Sequence, residues 1–350
     1  MYLNNSKMKL TDDQRERYSR MLALRDFSED DMKSIMNTTI TVVGAGGLGS
    51  PALRLLTAIG FGKIRIIDRD IVELSNIQRQ TIYNTQDIGE PKVEAATTNL
   101  KLINPNVEFE PLCVSIQEDN ALDLLKGTDI ILDGLDSFIA RRAVNKASVE
   151  LGIPYIFAGA VEYYANLSTF VPGKTGCLNC VMGDAQDNPH NTCAQVGVTP
   201  TLLSLAAAVE VNEAIRLGTG REPTLANRLM TIDSGSLTFD FFDIGKSDEC
   251  QICSIPIHTK VSRKNEISVT QLCSQSYNIS PTRIEKLDLD GIAQKLDRSY
   301  SIKSTSRSIL VTLKSGEKIT LMSSGSAIIK GVETADDAIR LYELILEKRS

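Results

Sequence analysis

The chain has 350 residues, 42% of them hydrophobic and 23% charged, with a formal net charge of −6. That length buries a sizeable core and leaves room for one large unit and a smaller one. The acidic balance argues against nucleic acid as an obligate partner, since a phosphate backbone rewards a basic surface, and no apolar run reaches the length of a membrane span.

Residues 1–9 are polar and lack the apolar stretch of a signal peptide, so the expectation is a cytoplasmic protein. In that compartment seven cysteines serve as metal ligands, nucleophiles or buried thiols rather than as disulfides. Residues 11–22 and 28–36 read as short helices, opened by Thr11 and Ser28, whose hydroxyls can cap free N–H groups. Residues 39–43 form a β-branched strand. It runs directly into Gly44-Ala45-Gly46-Gly47-Leu48-Gly49 and an apolar helix over 50–59 that stops at Gly60. Further strands are expected at 63–68, 107–112, 129–132 and 155–157, with helices at 91–103 and 137–151. This alternation defines an α/β fold with a Rossmann-like, mainly parallel sheet covered on both faces. Residues 164–171 and 228–243 are extended on either side of a long apolar helix over 199–217, so the sheet should end in antiparallel strands.

Beyond Cys253 the character changes. Residues 254–268 are polar and basic, a linker composition, and the division expected is 1–258 and 259–350. In the second part, 308–313 and 318–322 alternate across Lys314-Ser315-Gly316-Glu317 as a hairpin. A short strand over 327–330 and a helix capped by Thr334 complete a small α+β unit. It is expected to dock a carrier or downstream partner, or to stabilise a dimer.

Gly44, Gly46 and Gly49 make a G-x-G-x-x-G loop between strand and helix, with Gly47 inside it. Such a loop lets the backbone approach a phosphate at the positive end of the helix dipole. Asp68 ends the next strand, about twenty residues on, where a carboxylate can accept from ribose hydroxyls. These features alone fit NAD, FAD or ATP equally. Asn76, Gln78, Arg79 and Gln80 cluster after the second strand, and Lys92 opens a helix. Cations and amide donors so placed suit a polyphosphate attacked in line at its α-phosphorus. Asp136, in Asp133-Gly134-Leu135-Asp136, sits at the carboxyl end of a strand, where α/β sheets bind ligands, and could hold magnesium. Taken singly, each of these would be a surface cation or a helix cap.

Cys177/Cys180 and Cys250/Cys253 are two Cys-x-x-Cys pairs, separated by 69 intervening residues. Each pair can fill two adjacent corners of a tetrahedron, and two pairs complete a closed, structural zinc site. A pair of redox dithiols is the competing assignment. Cys113, Cys193 and Cys273 remain.

Arg17-Tyr18-Ser19-Arg20, the glycine loop, Asn76-Ile77-Gln78-Arg79-Gln80, Gly89-Glu90-Pro91-Lys92 and the paired Cys-x-x-Cys motifs resemble the MoeB/ThiF family, prokaryotic relatives of ubiquitin-activating enzymes, over roughly residues 10–256. The resemblance implies ATP- and magnesium-dependent adenylation of the C-terminal glycine of a ubiquitin-like (β-grasp) sulfur-carrier or modifier protein ending in Gly-Gly, with release of pyrophosphate. It assigns Asp68 to the ribose, Arg79 and Lys92 to the phosphates and Asp136 to magnesium. Arg20 would reach the active site of the neighbouring subunit of a homodimer. Cys193 looks like the position at which related enzymes keep a cysteine able to attack the acyl-adenylate, with His190 close in sequence; other members stop at the adenylate. The chain departs from the family pattern at Thr199-Pro200, where glycine often precedes proline, at Ser137, where asparagine is common, and across 266–350. Two other function classes stand beside this one. An NAD-dependent oxidoreductase with structural zinc is disfavoured by Arg79, Lys92 and the presence of only two histidines. A catalytically silent partner-binding homologue is disfavoured by the intact phosphate residues.

Overall fold

The computed structural model describes residues 9–183, 185, 187, 196–254, 267–271, 276–281, 287–296, 300–305 and 307–347. His190, Cys193, Cys273 and the expected boundary at 258/259 lie outside the described residues. Among the described residues, no helix is long and apolar enough to cross a membrane.

The first sheet is built on β1 (Thr39–Val43), β2 (Lys63–Ile67), β3 (Glu108–Leu112), β4 (Ile130–Asp133) and β5 (Tyr155–Val161), all parallel in the order β3-β2-β1-β4-β5. Antiparallel strands β6 (Tyr164–Phe170), β7 (Arg228–Asp233) and β8 (Thr238–Asp243) extend it beyond β5. Successive side chains of a strand point to opposite faces, and the parallel strands are apolar on both. Thus Ile40 and Val42 face one core, with Leu53 and Leu56 of the helix Gly49–Ile59, Leu100 of the helix Lys92–Ile103 and Val211 of the helix Pro200–Gly218. Val43 faces the other, with Val144 and Ala147 of the helix Phe138–Leu151.

The second sheet is antiparallel throughout. It contains β9 (Ile267–Gln271), β10 (Ser276–Pro281), β11 (Ser301–Ser304), β12 (Ser308–Thr312), β13 (Lys318–Met322) and β14 (Ala327–Lys330), ordered β11-β12-β13-β14-β10-β9. One face packs on the helices Leu289–Lys295 and Ala335–Glu347 around Ile309, Ile319 and Ile329. From the opposite face Met322 and Ile328 join the core of the first sheet.

One expected helix is divided. The segment over 11–22 forms Asp12–Arg17 and Ser19–Leu22, with a break at Tyr18. Its side chain is buried, its hydroxyl accepts from Asn104 Nδ2 at 3.0 Å, and it lies where a Cβ on Gly60 would sit, 2.3 Å from the hydroxyl. Burying the ring there outweighs continuing the helix.

Candidate active site and metal centre

The strand order reverses between β1 and β4, and the loops leaving their carboxyl ends meet. Open α/β sheets bind ligands at such a switch point. Gly44, at φ +98, is required because a Cβ there would lie 2.3 Å from the Gly134 carbonyl oxygen. A Cβ on Gly49 would lie 1.8 Å from the Gly44 oxygen. The glycine loop is thereby folded tightly against the Asp133–Asp136 turn.

The segment after β2 supports this loop from the other side. Asp68 accepts from the Ala45 N–H at 2.7 Å and from the Asp70 N–H at 2.7 Å. The Tyr83 hydroxyl donates to the Ala45 carbonyl at 2.9 Å, and the Ile82 N–H donates to Ser50 Oγ at 3.0 Å. Gln80 is 3% exposed, its Oε1 has no hydrogen-bond partner among the described residues, and its Nε2 faces Gly46. An orphaned amide oxygen beside a bare glycine loop is what a donor such as a nucleotide's hydroxyl or amino group would satisfy.

Lys92, at 5% exposure, begins its helix after Pro91, and its Nζ pairs with Asp70 Oδ2 at 3.1 Å. Burial works against the ammonium, but Asp70 and Asp68 outweigh it and raise the Lys92 pKa above its ordinary value. Asp70, which burial alone would raise, is held below the usual carboxylate range by Lys92 and Arg69. Burial raises Asp68, with Lys92 opposing. Asp70 was not anticipated from the sequence, although its place two residues after Asp68 was the available signal. Exposed Asp136 lies within electrostatic reach of both Lys92 and Arg141.

The Asp136 turn rests on buried chemistry that the motifs do not reveal. Arg141 Nε donates to Asp133 Oδ2 at 3.0 Å, while its Nη2 donates to the carbonyls of Leu135 at 2.6 Å and Ala158 at 2.8 Å. The Tyr155 hydroxyl and the Leu135 N–H also donate to Asp133. Burial raises Asp133 above the ordinary carboxylate value and Arg141, Tyr155 and the Leu135 amide oppose it. Burial opposes the guanidinium charge as well, but Asp133 raises the Arg141 pKa. With three donor groups converging on the carboxylate, the charged pair is the form that satisfies the geometry.

Other predicted residues stand further apart in character. Asn76 is buried, and its Oδ1 accepts from the Glu73 N–H at 3.1 Å. Arg79 is half-buried and donates through Nη1 to the Ser75 carbonyl at 2.8 Å. Arg17 donates to the Ile103 carbonyl at 3.0 Å, whereas Arg20 is exposed and no ion pair among the described residues engages it.

The two Cys-x-x-Cys pairs come together. Cys177 Sγ lies 3.7 Å from Cys250 Sγ, and Cys180 Sγ lies 3.4 Å from Cys253 Sγ. All four sulfurs fall within 4.8 Å of one another. A tetrahedral zinc with sulfurs at about 2.3 Å has edges of about 3.8 Å, so the donor set fits that ion, and the spacings are far from a disulfide's. The N–H groups of Ser247 and of the Asn145 and Asn179 amides point at Cys180, Cys177 and Cys250 respectively, the outer hydrogen bonds that orient thiolate ligands. Cys250, which partial burial would raise, is drawn down to about 7 by the N–H groups of Cys253 and Ile252 and by neighbouring sulfurs.

The glycine loop at a switch point, a buried cation behind it, and a four-cysteine cluster beside the sheet define a nucleotide-using α/β enzyme with a closed metal centre. The model of the ThiF family matches residues 18–253, and the chain belongs to that family. It is an adenylyltransferase of the MoeB/ThiF type, and members of this class use ATP. It is 30% identical over 338 residues to the sulfur carrier protein ThiS adenylyltransferase of Bacillus subtilis, covering 93% of this chain and 98% of that protein. It is 30% identical over 241 residues to the SAMP-activating enzyme E1 of Haloferax volcanii, covering 69% and 89% respectively. Among solved structures it is similar to Escherichia coli MccB with ATP, with a TM-score of 0.58 at 26% identity over 64% of this chain and 69% of that one.

Proposed function

We propose that the chain adenylates the C-terminal glycine carboxylate of a ubiquitin-like sulfur-carrier protein ending in Gly-Gly. The observation that carries this reading is the convergence, on the carboxyl ends of β1, β2 and β4, of the glycine loop, Asp68 with the buried Lys92, and Asp136. In this reading the loop amides and Gln80 Nε2 donate to the nucleotide phosphates, and Asp68 accepts from the ribose. Lys92 and Arg79 take the charge of the β- and γ-phosphates. The carrier carboxylate attacks the α-phosphorus, a new P–O bond forms, and the bond to the β-phosphate breaks with its electron pair leaving on pyrophosphate. Asp136 is the carboxylate placed to hold a magnesium ion, which would neutralise the leaving group when bound. The cysteine cluster holds zinc and clamps the loop around Cys177 and Cys180 to the segment around Cys250 and Cys253.

Two features support a protein partner and a second subunit. The edge strand β8 exposes Phe239 and Phe241 on one face and Phe242 on the other, apolar side chains of the kind a partner covers. Arg20, exposed on the helix Ser19–Leu22 and engaged by no ion pair among the described residues, is available to a neighbouring copy.

Pyrophosphate exchange into ATP tests the proposal, with magnesium and candidate carriers ending in Gly-Gly. Exchange that depends on one carrier is expected, with Arg79→Ala and Asp136→Ala abolishing turnover while zinc content and fold persist. Near-parental exchange in either variant removes that residue from the mechanism.

A further inference from the structure

The segment proposed above to meet the phosphates, from Asp68 to Lys92, is held from outside its own sheet. The Arg69 carbonyl accepts from Asn278 Nδ2 of β10 at 3.5 Å, and Lys330 of β14 forms an ion pair with Glu73. Just past Lys92, Glu94 pairs with Arg307. The same face of the second sheet is anchored below: Ser326 Oγ donates to the Cys113 carbonyl at 2.7 Å, and Ser115 Oγ donates to Asn278 Oδ1 at 2.8 Å.

Glu73 is the residue from which the phosphate turn is hung. Its N–H donates to Asn76 Oδ1 at 3.1 Å and its carbonyl accepts from the Asn76 N–H at 2.9 Å. The Asn76 carbonyl in turn accepts from the N–H groups of Arg79 at 3.1 Å and Gln80 at 2.9 Å. One residue before Glu73, the Val72 N–H donates to the Glu90 carbonyl at 2.9 Å; the Lys92 N–H donates to the Asp70 carbonyl at 2.9 Å. A displacement of Glu73 therefore reaches Arg79, Gln80 and Lys92 through short hydrogen-bonded steps.

We propose that the C-terminal sheet is a brace for the phosphate segment, and that Lys330 is a positioning residue for ATP acting through Glu73. The inference rests on the assignment of Arg79 and Lys92 to the phosphates. It gives the second sheet a role in the adenylation reaction itself, independent of any carrier or of a second subunit. A half-exposed ion pair is worth little as stability, so its effect should appear in the position of the groups it steers.

The test uses full-length protein with Lys330→Met, Glu73→Gln, the double variant and Lys330→Arg, titrated with ATP in the presence of magnesium and, separately, with adenosine. The ATP Kd should rise about three- to fivefold in each single variant and no further in the double variant. Adenosine affinity should stay within about twofold, and Lys330→Arg should bind ATP nearly as the parent does. If ATP affinity is unchanged in both single variants, or ATP and adenosine weaken equally, the brace is refuted. Arg79→Ala separates the two ideas: loss of ATP affinity there, with none in Lys330→Met, overturns the brace alone, whereas retained affinity in both overturns the phosphate assignment and the brace with it.

Discussion

Glu210 offers a test of the buried electrostatics beneath the site. Its carboxyl is fully buried on the helix Pro200–Gly218, and neither oxygen has a hydrogen-bond partner among the described residues. Burial raises its pKa well above the ordinary value of 4.5; the Asp133 carboxylate adds to this and Arg141 opposes it. A raised carboxyl pKa places the linkage on the alkaline side. Well below pH 4.5 both folded and unfolded chains hold the proton, so the contribution to stability is intact. Above it the unfolded chain releases the proton while the folded chain keeps it, and stability falls by about 1.4 kcal/mol per pH unit until the folded carboxyl ionises. Glu210→Gln removes this titration but leaves an orphaned amide. Glu210→Met removes the orphan too, worth a further 1–3 kcal/mol or so. Urea unfolding of parent and variants at matched pH values isolates the effect, because taking the difference cancels the other carboxylates and the thiolate cluster. The Glu210→Gln difference should grow by about 1.4 kcal/mol over the first full pH unit above about pH 5. Parallel curves for parent and variant would show that Glu210 is solvated or partnered, and would refute the reasoning.

Breaking the neighbouring pair should be costlier. Arg141→Met leaves Asp133 buried without its cation and frees the Leu135 and Ala158 carbonyls, a loss of about 3–5 kcal/mol; a loss below about 1 kcal/mol in urea would mean the pair is not charged. Arg141→Lys should recover only part of this, since an ammonium cannot span all three acceptors. Cys250→Ser should reduce bound zinc, measured by metal analysis, and lower the melting temperature; a variant retaining full zinc and stability would remove Cys250 from the centre. Cys193→Ala should still support pyrophosphate exchange, and loss of exchange would place that thiol in adenylation rather than in any later transfer.

Much of the candidate site's local geometry was legible because its constraints are local. A glycine that must lie against another loop's carbonyl, an acid at the end of the next strand and a cation opening a helix are each written within a few residues of a strand end. The cysteine pairs were legible for a similar reason, since two thiolates on one tight turn already fix half a tetrahedron. The strands of the first sheet were readable from their apolar runs, down to the antiparallel extension. In the C-terminal part the hairpin and its neighbouring strand were readable, but β9, β10, β11 and the helix Leu289–Lys295 were not, because their apolar patterns are short and interrupted by polar residues, of which Asn278 and Thr270 meet the first sheet while Ser301, Lys303 and Asp290 are exposed.

Sequence alone determined the parallel α/β core, the glycine loop, the acid and cation beside it, and the four thiols, because each depends on backbone geometry or spacing within one segment. Tertiary structure decided the break at Tyr18, where a ring had to reach Asn104 and the surface of Gly60. It also decided that Lys92 pairs with Asp70, that Arg141, Asp133 and Tyr155 form one buried network under the Asp136 turn, and that Lys330 meets Glu73 across 257 positions of chain. Such pairings follow from which faces of two sheets come together, and a charge becomes strongly coupled only once that packing has removed the water around it.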